Sequence, residues 1–341
     1  ACTIEINLDN PVGTPTPRGG RTPTPQAAER PRTDSQRLGA VGVDLLVFPT
    51  DKVDVLVDLI GTARRRVFLK IYMFSEARIF EALEQAHAAG VDVRVQIEPK
   101  PLGGGTMANA AQTRLRKAGI EVKTTNPAFR LTHEKSYVID DTAVILTANM
   151  TRGSFTRNRE FAVVTRNPED VAEIVQAFEA DWNRAAFVPQ NPNLVWSPDN
   201  SRTKIDALIE GAQKTLDVYA ASTLDDEQLG LLAAAQKRGV KVRLMTSARS
   251  SGDGEDAAAG DLDRLQRARV KVRYLKSPLV HAKTFLADYG EPNVLGFVGS
   301  VNITTQSLDF NRELGILIAD ETALSRLQEQ FEADWEKAVD R

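Results

Sequence analysis

The second half of this chain repeats the first. Residues 89–95 read Ala-Gly-Val-Asp-Val-Arg-Val and return at 238–244 as Arg-Gly-Val-Lys-Val-Arg-Leu. Residues 114–122 return at 264–272, and Asn158-Arg159-Glu160 returns as Asn311-Arg312-Glu313. Phe178-Glu179-Ala180-Asp181-Trp182 returns intact as Phe331-Glu332-Ala333-Asp334-Trp335. The offsets stay between 149 and 153. Segments kept in order at a nearly constant spacing mean two copies of one fold. A length of 341 residues accommodates two units of about 150 residues each.

Within each copy, helical and extended patterns alternate. An amphipathic helix opens each half, marked by Val53, Leu56, Val57 and Ile60 in one and by Ile205, Leu208 and Ile209 in the other. Extended runs follow at 67–74 and 216–221. A second helix closes at Gly90 or Gly239, a common helix-stop position. Next come a Val/Arg strand, a Gly-rich loop at 102–105 or 252–260, another helix and strand, and a last helix carrying Trp182 or Trp335. This order predicts the α/β class: two repeated α/β half-domains, mixed β-sheets flanked by helices, related by a pseudo-two-fold axis. The expected boundaries are an arm at 1–40, a first half-domain at 41–190 and a second at 191–341, with 186–197 as the connection.

The arm stands apart in composition. Residues 1–38 hold six of the 16 prolines, and Thr-Pro-Thr-Pro occurs at 14–17 and 22–25. Such a segment buries too little apolar surface to fold alone and favours an extended tether, with a short strand expected at Cys2–Ile6. The Ala-Cys start resembles the processed end of a bacterial lipoprotein. With the Thr/Pro stalk it gives the expectation of an exported protein, secreted or lipid-anchored through Cys2, with a cytoplasmic location as the alternative. Cys2 is the only cysteine, so no intrachain disulfide forms and no Cys/His set has zinc spacing. No apolar run approaches the roughly 18 residues that span a bilayer. The net charge of −3 argues against coating nucleic acid by bulk charge and leaves room for a local basic cleft.

The chemistry sits in a smaller repeat. His133-x-Lys135-x4-Asp140 returns 148 residues later as His281-x-Lys283-x4-Asp288. On a strand, residues two apart share a face, so each lysine lies beside its histidine, and each Asp falls at the strand end. An imidazole serves as nucleophile, base or acid near neutral pH. The lysine supplies fixed positive charge for a phosphoryl oxygen. Asn149 and Asn302 offer neutral donors downstream. Glu160 and Glu313 can orient an imidazole through its second nitrogen and stabilise its charged form. One His-x-Lys on a strand would be unremarkable; two, each followed by Asp, Asn and Asn-Arg-Glu at matching spacing, are not. The third histidine, His87, falls in an expected helix opposite Gln236 and reads as a surface residue.

At these residues the sequence resembles the phospholipase D superfamily, whose pattern is His-x-Lys-x4-Asp followed by Gly-Ser-x-Asn, twice per active site. The resemblance covers roughly residues 45 to 340. The second copy is complete, ending in Gly299-Ser300-Val301-Asn302. The first has Leu146-Thr147-Ala148-Asn149 instead, which predicts a tighter or less symmetric wall there. The resemblance implies a metal-free, cofactor-free mechanism. One histidine, expected to be His133, attacks phosphorus; His281 protonates the leaving alcohol and then activates water or an acceptor alcohol. It implies that Lys135, Lys283, Asn149, Asn302, Ser300 and Thr147 bind substrate, that Glu160 and Glu313 buttress the histidines, and that Asp140 and Asp288 belong to the motif while acting structurally or at a distance.

The remaining features read plainly. Gly103-Gly104-Gly105 lacks the Lys-Ser/Thr of a phosphate loop; this segment and the one with Ser250, Gly252 and Gly254 read as rims of the site mouth. Arg64-Arg65-Arg66 reads as a helix-end charge cluster. Trp182 and Trp335 read as core anchors. Arg159 and Arg312 either touch phosphate or pair with acids. The expected partner is a phospholipid head group, with peripheral membrane contact and a monomeric state. A nuclease acting on DNA or RNA is the alternative, opposed by the acidic balance and the 6 % aromatic content. A non-catalytic binding module and cardiolipin-type synthesis are the further readings, the second set back by the missing apolar spans.

Overall fold

The computed structural model describes residues 38–221, 224–247 and 255–341. The arm up to residue 37, with Cys2 and the expected strand at 2–6, lies outside the described residues, as do Ser250, Gly252 and Gly254.

Each half is one mixed sheet. The first contains β1 (Asp44–Phe48), β2 (Arg66–Ile71), β3 (Asp92–Ile97), β4 (Glu121–Thr124), β5 (Ser136–Ile139), β6 (Thr142–Leu146) and β7 (Asn158–Thr165). Their spatial order is β1-β7-β6-β5-β2-β3-β4. The second contains β8 (Leu194–Ser197), β9 (Thr215–Tyr219), β10 (Lys241–Thr246), β11 (Lys271–Tyr274), β13 (Thr284–Ala287), β14 (Leu295–Gly299), β15 (Glu313–Ile318) and β16 (Val339–Asp340). Read from β8, its order is β8-β15-β14-β13-β9-β10-β11, the order of the first sheet, with β16 added at the edge. In both sheets three strands run parallel, and the others pair antiparallel. The short β12 (Leu279–Val280) leaves its own half and pairs in parallel with Asn158 and Arg159 of β7.

Helices cover both faces. In the first half these are α1 (Asp54–Gly61), α2 (Ala77–Ala88), α3 (Gly105–Lys117), α4 (Arg152–Thr156) and α5 (Pro168–Asn183). In the second they are α6 (Ser201–Gly211), α7 (Asp226–Arg238), α8 (Glu255–Arg267), α9 (Thr305–Asp309) and α10 (Glu321–Lys337). Local signals explain their ends. Asn167 caps α5 by accepting from the Glu169 and Asp170 amides, with Pro168 in the first turn. α7 stops at Gly239, whose φ of 100° an L side chain resists.

Three apolar clusters form the core. One lies between the first sheet and α1 to α4, through Leu56, Ile79, Phe80, Leu115 and Phe155. Its counterpart in the second half includes Ile205, Leu232, Leu265 and Leu308. The third belongs to both halves. It joins Val47, Phe161, Phe178 and Trp182 to Trp196, Leu314, Phe331 and Trp335, so α5 and α10 pack between the sheets. Both tryptophans are therefore core residues, as their helical spacing predicted.

Three expectations change. A strand, β1 or β8, precedes the first helix of each half, so the 186–197 connection ends inside the second sheet, where β8 pairs with β15. The loop expected at 252–260 is already helical from Glu255. The third changes in part: the Arg64 side chain does meet the Gly61 carbonyl at the end of α1, but the N–H groups of Arg64 to Arg66 also all donate to the Asp140 carboxylate.

Candidate active site

The parallel strands of both sheets end on the same edge where β5, β7, β13 and β15 begin. His133 and Lys135 enter just before β5, and His281 and Lys283 just before β13. Both pairs therefore sit on extended chain leading into a strand, one step earlier than a motif lying wholly on a strand would have them. The seam between the halves is hydrogen-bonded there. The amides of His133 and Glu134 donate to the Arg312 carbonyl at 2.9 and 3.0 Å, and the His281 amide donates to the Arg159 carbonyl at 3.2 Å.

This crossing decides which glutamate serves which histidine. His133 Nδ1 lies 2.9 Å from Oε2 of Glu313, and His281 Nδ1 lies 2.7 Å from Oε1 of Glu160. Each imidazole is oriented by the carboxylate of the opposite half. The glutamates are themselves held. Thr147 donates to Glu160 at 2.6 Å, Asn158 approaches it at 3.3 Å, and Asn311 and Ser307 donate to Glu313. A carboxylate on Nδ1 fixes the proton there and leaves Nε2 with the free lone pair.

The electrostatics follow from enclosure. Burial lowers the His133 pKa to about 4, against the raising pull of Glu313 and with the added push of Lys135 and Lys283. His281 is also lowered, by burial first and Lys283 second among the lowering influences, but its side chain keeps 30 % of its exposure against 11 % for His133. Burial works to raise both glutamates, yet their histidine partners and the nearby lysines outweigh it and hold them below the usual range. Lys283 falls to about 8 through burial, and Lys135 is also held well below its ordinary range by burial, with Lys283's charge adding to the effect. Two buried ammonium groups, both lowered first by burial, suit an anion between them, because its charge would favour their charged forms. Each lysine is tethered by a hydrogen bond to its own histidine's carbonyl.

The other expected site residues divide. The side-chain amides of Asn149 and Asn302 make no hydrogen bond to protein among the described residues, and the Asn149 oxygen is buried without a partner, so both remain open to substrate. Thr147 and Ser300 are not open. The Thr147 hydroxyl is used by Glu160 and by the Phe161 amide, and the Ser300 hydroxyl exchanges bonds with both backbone groups of Leu314. They fix the glutamate-bearing strands instead of holding phosphate. Asp140 and Asp288 stand beyond the far ends of β5 and β13, five residues or roughly 16 Å of extended chain from the motif lysines. Each accepts three backbone amides, Arg64 to Arg66 and Gln213 to Thr215. With positive φ of 50° and 54°, they close the turns that follow the motif strands and take no part at the reacting centre.

Arg159 and Arg312 pair with acids. Arg159 meets Asp334 through Nε and Nη2 at 2.6 and 3.0 Å, and Arg312 Nε meets Asp181 at 3.0 Å. Both pairs cross the seam and are buried, which explains why the repeat preserves Asn-Arg-Glu and Phe-Glu-Ala-Asp-Trp together. Tyr72 was not anticipated, because it lies within the extended run 67–74, which reads as core. Its ring packs edge-on against His133 with centroids 4.7 Å apart, Lys135 Nζ lies 5.2 Å above it, and its hydroxyl accepts the Leu102 amide at 2.6 Å. His87 lies on α2, away from this edge.

The departure from Gly-Ser-x-Asn in the first copy lies in the core, behind the site. A Cβ on Gly299 would meet Gly315 Cα at 2.4 Å, and one on Gly315 would meet the Phe297 ring at 2.3 Å. The matching residues in the first half are Leu146, Ala162 and Val144, with Leu146 opposite Ala162 in register. One large ring over two glycines in the second half is exchanged for a valine, a leucine and an alanine in the first. Both fill the same layer of core. No tighter wall results at the site.

Comparison with known proteins follows the same lines. The family model for the cardiolipin synthase, PLD-like domain matches twice, at residues 56–182 and 205–335. A cardiolipin synthase of Oceanobacillus iheyensis is 23 % identical over 347 residues, covering 87 % of this chain and 69 % of that protein. Cardiolipin synthase A of Pseudomonas aeruginosa is 31 % identical over 144 residues, 41 % of this chain, of which it covers 29 % of the relative's own length. The phosphatidylserine synthase structure from Haemophilus influenzae superimposes with a TM-score of 0.67 at 14 % identity, covering 89 % of this chain and 90 % of that one, a likeness of fold. With both motifs, both sheets and both matched segments accounted for, the chain belongs to the phospholipase D superfamily as a tandem of two PLD-like domains.

Proposed function

We propose that the protein is a phospholipase D-type phosphodiester transferase or hydrolase acting on glycerophospholipids through a phosphohistidine. One observation carries the reading: two imidazoles, each held at Nδ1 by the other half's glutamate, stand beside two buried lysines, each tethered to its own histidine's carbonyl. His133, neutral through its pKa of about 4, suits the nucleophile. Its Nε2 attacks phosphorus, forming the P–N bond as the P–O bond to the leaving alcohol breaks. His281, more exposed and backed by Glu160, acts in its imidazolium form, with a proton on each nitrogen, and gives that oxygen the one on Nε2 while Nδ1–H stays on Glu160. It then takes a proton from water or an acceptor alcohol, whose oxygen displaces His133 from phosphorus. Asn149, Asn302 and the lysines hold the phosphoryl oxygens as charge builds. The likeness to cardiolipin synthases supports a lipid substrate and an alcohol acceptor. The net charge of −3 and the few aromatic rings weigh against nucleic acid.

The test uses phosphatidylglycerol vesicles and single-stranded DNA side by side. Turnover of lipid but not DNA is expected, with His133→Ala and His281→Ala each slower by roughly 10²–10⁴-fold. Mass spectrometry should find a phosphatidyl adduct on the His133 peptide of His281→Ala and none in His133→Ala. An active histidine variant overturns the two-motif site, and DNA cleavage alone overturns the lipid reading.

A further inference from the structure

Among the described residues, Leu102 is the most exposed large apolar side chain, at 89 %; Val188 and Val41 come next at 66 % and 61 %, and Phe310 and Leu279, at 50 % and 49 %, share the edge of Leu102. Leu102, Phe310 and Leu279 are all tied to the catalytic edge. The Leu102 amide donates to Tyr72, whose ring packs on His133. Leu279 lies two residues before His281, and its amide donates to the Arg157 carbonyl. Phe310 lies three residues before Glu313, and its carbonyl accepts the Arg130 amide. Exposed cations stand beside each of them: Lys100 near Leu102, Arg130 against Phe310, and Arg157 and Lys276 next to Leu279. None of the four pairs with a carboxylate among the described residues. Exposed cations without a carboxylate partner among the described residues occur elsewhere too, at Lys52, Lys117, Lys214, Lys241 and Lys271; what distinguishes Lys100, Arg130, Arg157 and Lys276 is that each stands beside an exposed apolar side chain at the catalytic edge. No described helix is long and apolar enough to cross a membrane.

We infer that this edge docks the enzyme onto an anionic bilayer, with Leu102, Leu279 and Phe310 entering the acyl boundary and Lys100, Arg130, Arg157 and Lys276 meeting the head groups. The inference rests on the lipid reading above. Single protruding apolar side chains flanked by unpaired cations match a surface that is apolar below and negative above. Nucleic acid would call for stacked rings, and one of the three is aromatic. Docking at this edge also places the mouth of the site against head-group phosphates, so a phospholipid need not leave the membrane entirely to reach the lysines.

The experiment separates docking from chemistry. Sedimentation with vesicles of phosphatidylcholine plus phosphatidylglycerol measures binding, and hydrolysis of bis(p-nitrophenyl) phosphate, a soluble diester, measures the site. The Leu102→Ser/Leu279→Ser/Phe310→Ser protein should bind vesicles at least about tenfold more weakly while it melts and cleaves the soluble diester like the wild type. Binding of the wild type should fall with added salt and on pure phosphatidylcholine. Wild-type affinity in the triple variant, or equal binding to neutral and anionic vesicles, overturns the inference and leaves the proposed function standing. A wild-type protein that docks but cleaves neither the soluble diester nor lipid sinks the proposed function instead.

Discussion

The two halves agree in their reacting groups at the catalytic edge and part company around and behind them; Tyr72 beside His133 already has Ala221 as its counterpart. Histidine, lysine, asparagine and glutamate match, and so do the seam-crossing pairs Arg159–Asp334 and Arg312–Asp181. One layer back, Lys70 and Glu134 form a buried ion pair beside Asp181, with Nζ 3.0 Å from Glu134 and 2.6 Å from Asp181. The second half has Tyr219 and Ala282 in those places, and the tyrosine hydroxyl meets Asp334 at 2.8 Å. Glu98 holds the Thr132 amide at 2.8 Å, where the Ser247 hydroxyl holds the Val280 amide at 2.6 Å. Chemistry demands a particular group at a particular point. A core demands only that its volume be filled and its polar atoms satisfied, and two unrelated side-chain sets do that equally well.

The largest effect should come from breaking the crossed pairing. Glu313→Gln and Glu160→Gln keep the shape and lose the charge that supports an imidazolium, so kcat should fall roughly 10²–10⁴-fold. The sharper result lies in titration. Glu313 raises the His133 pKa against burial, so its removal lowers that pKa below about 4, while Glu160→Gln lowers that of His281. Each substitution therefore moves the histidine of the opposite half, downward, and imidazole NMR reads it directly. A shift confined to the histidine of the same half would mean the pairing is not crossed.

Next is the buried ion pair that the second half lacks. Lys70→Tyr leaves the Glu134 carboxylate buried without its ammonium, which should cost about 3–5 kcal/mol in denaturant unfolding. Adding Glu134→Ala gives the first half the second half's solution, and much of that loss should return. If the double variant is no more stable than the single one, the two solutions are not interchangeable and the first half needs its charges.

The sequence showed what repetition could show. The four repeated segments and two His-x-Lys motifs define the class, the two halves and the reacting groups, because these depend on residue type and spacing. It could not show the crossing: Glu160 follows His133 and Glu313 follows His281, and either assignment leaves the offsets unchanged. It misplaced Thr147 and Ser300, since a hydroxyl one strand from the site reads alike whether it faces phosphate or the neighbouring strand. It passed over Tyr72, because position on an apolar run does not reveal which residue clears the end of the sheet. The edge strands β1 and β8 are short apolar runs without a repeat signature, and only their pairing with β7 and β15 identifies them.

The smallest effect tests the core exchange. A methyl on Gly299 would meet Gly315 Cα at 2.4 Å and the Leu314 carbonyl at 2.8 Å. Both obstacles are backbone, so neither can swing aside, and β14 and β15 must part. Gly299→Ala should therefore cost roughly 1–3 kcal/mol by chemical denaturation. It should also lower kcat modestly, because Ser300 is the next residue and its hydroxyl bonds Leu314 beside Glu313. The mirror change, Ala162→Gly, removes a methyl from a strand pair that already accommodates side chains and should cost about 1 kcal/mol or less. Strand separation acts on the glutamate and a lost methyl does not, so kcat should respond in the second half alone. Equal and mild costs in both halves would mean that Gly299 is dispensable, and the exchange of Phe297 over two glycines for Val144, Leu146 and Ala162 would no longer explain why the first copy does without it.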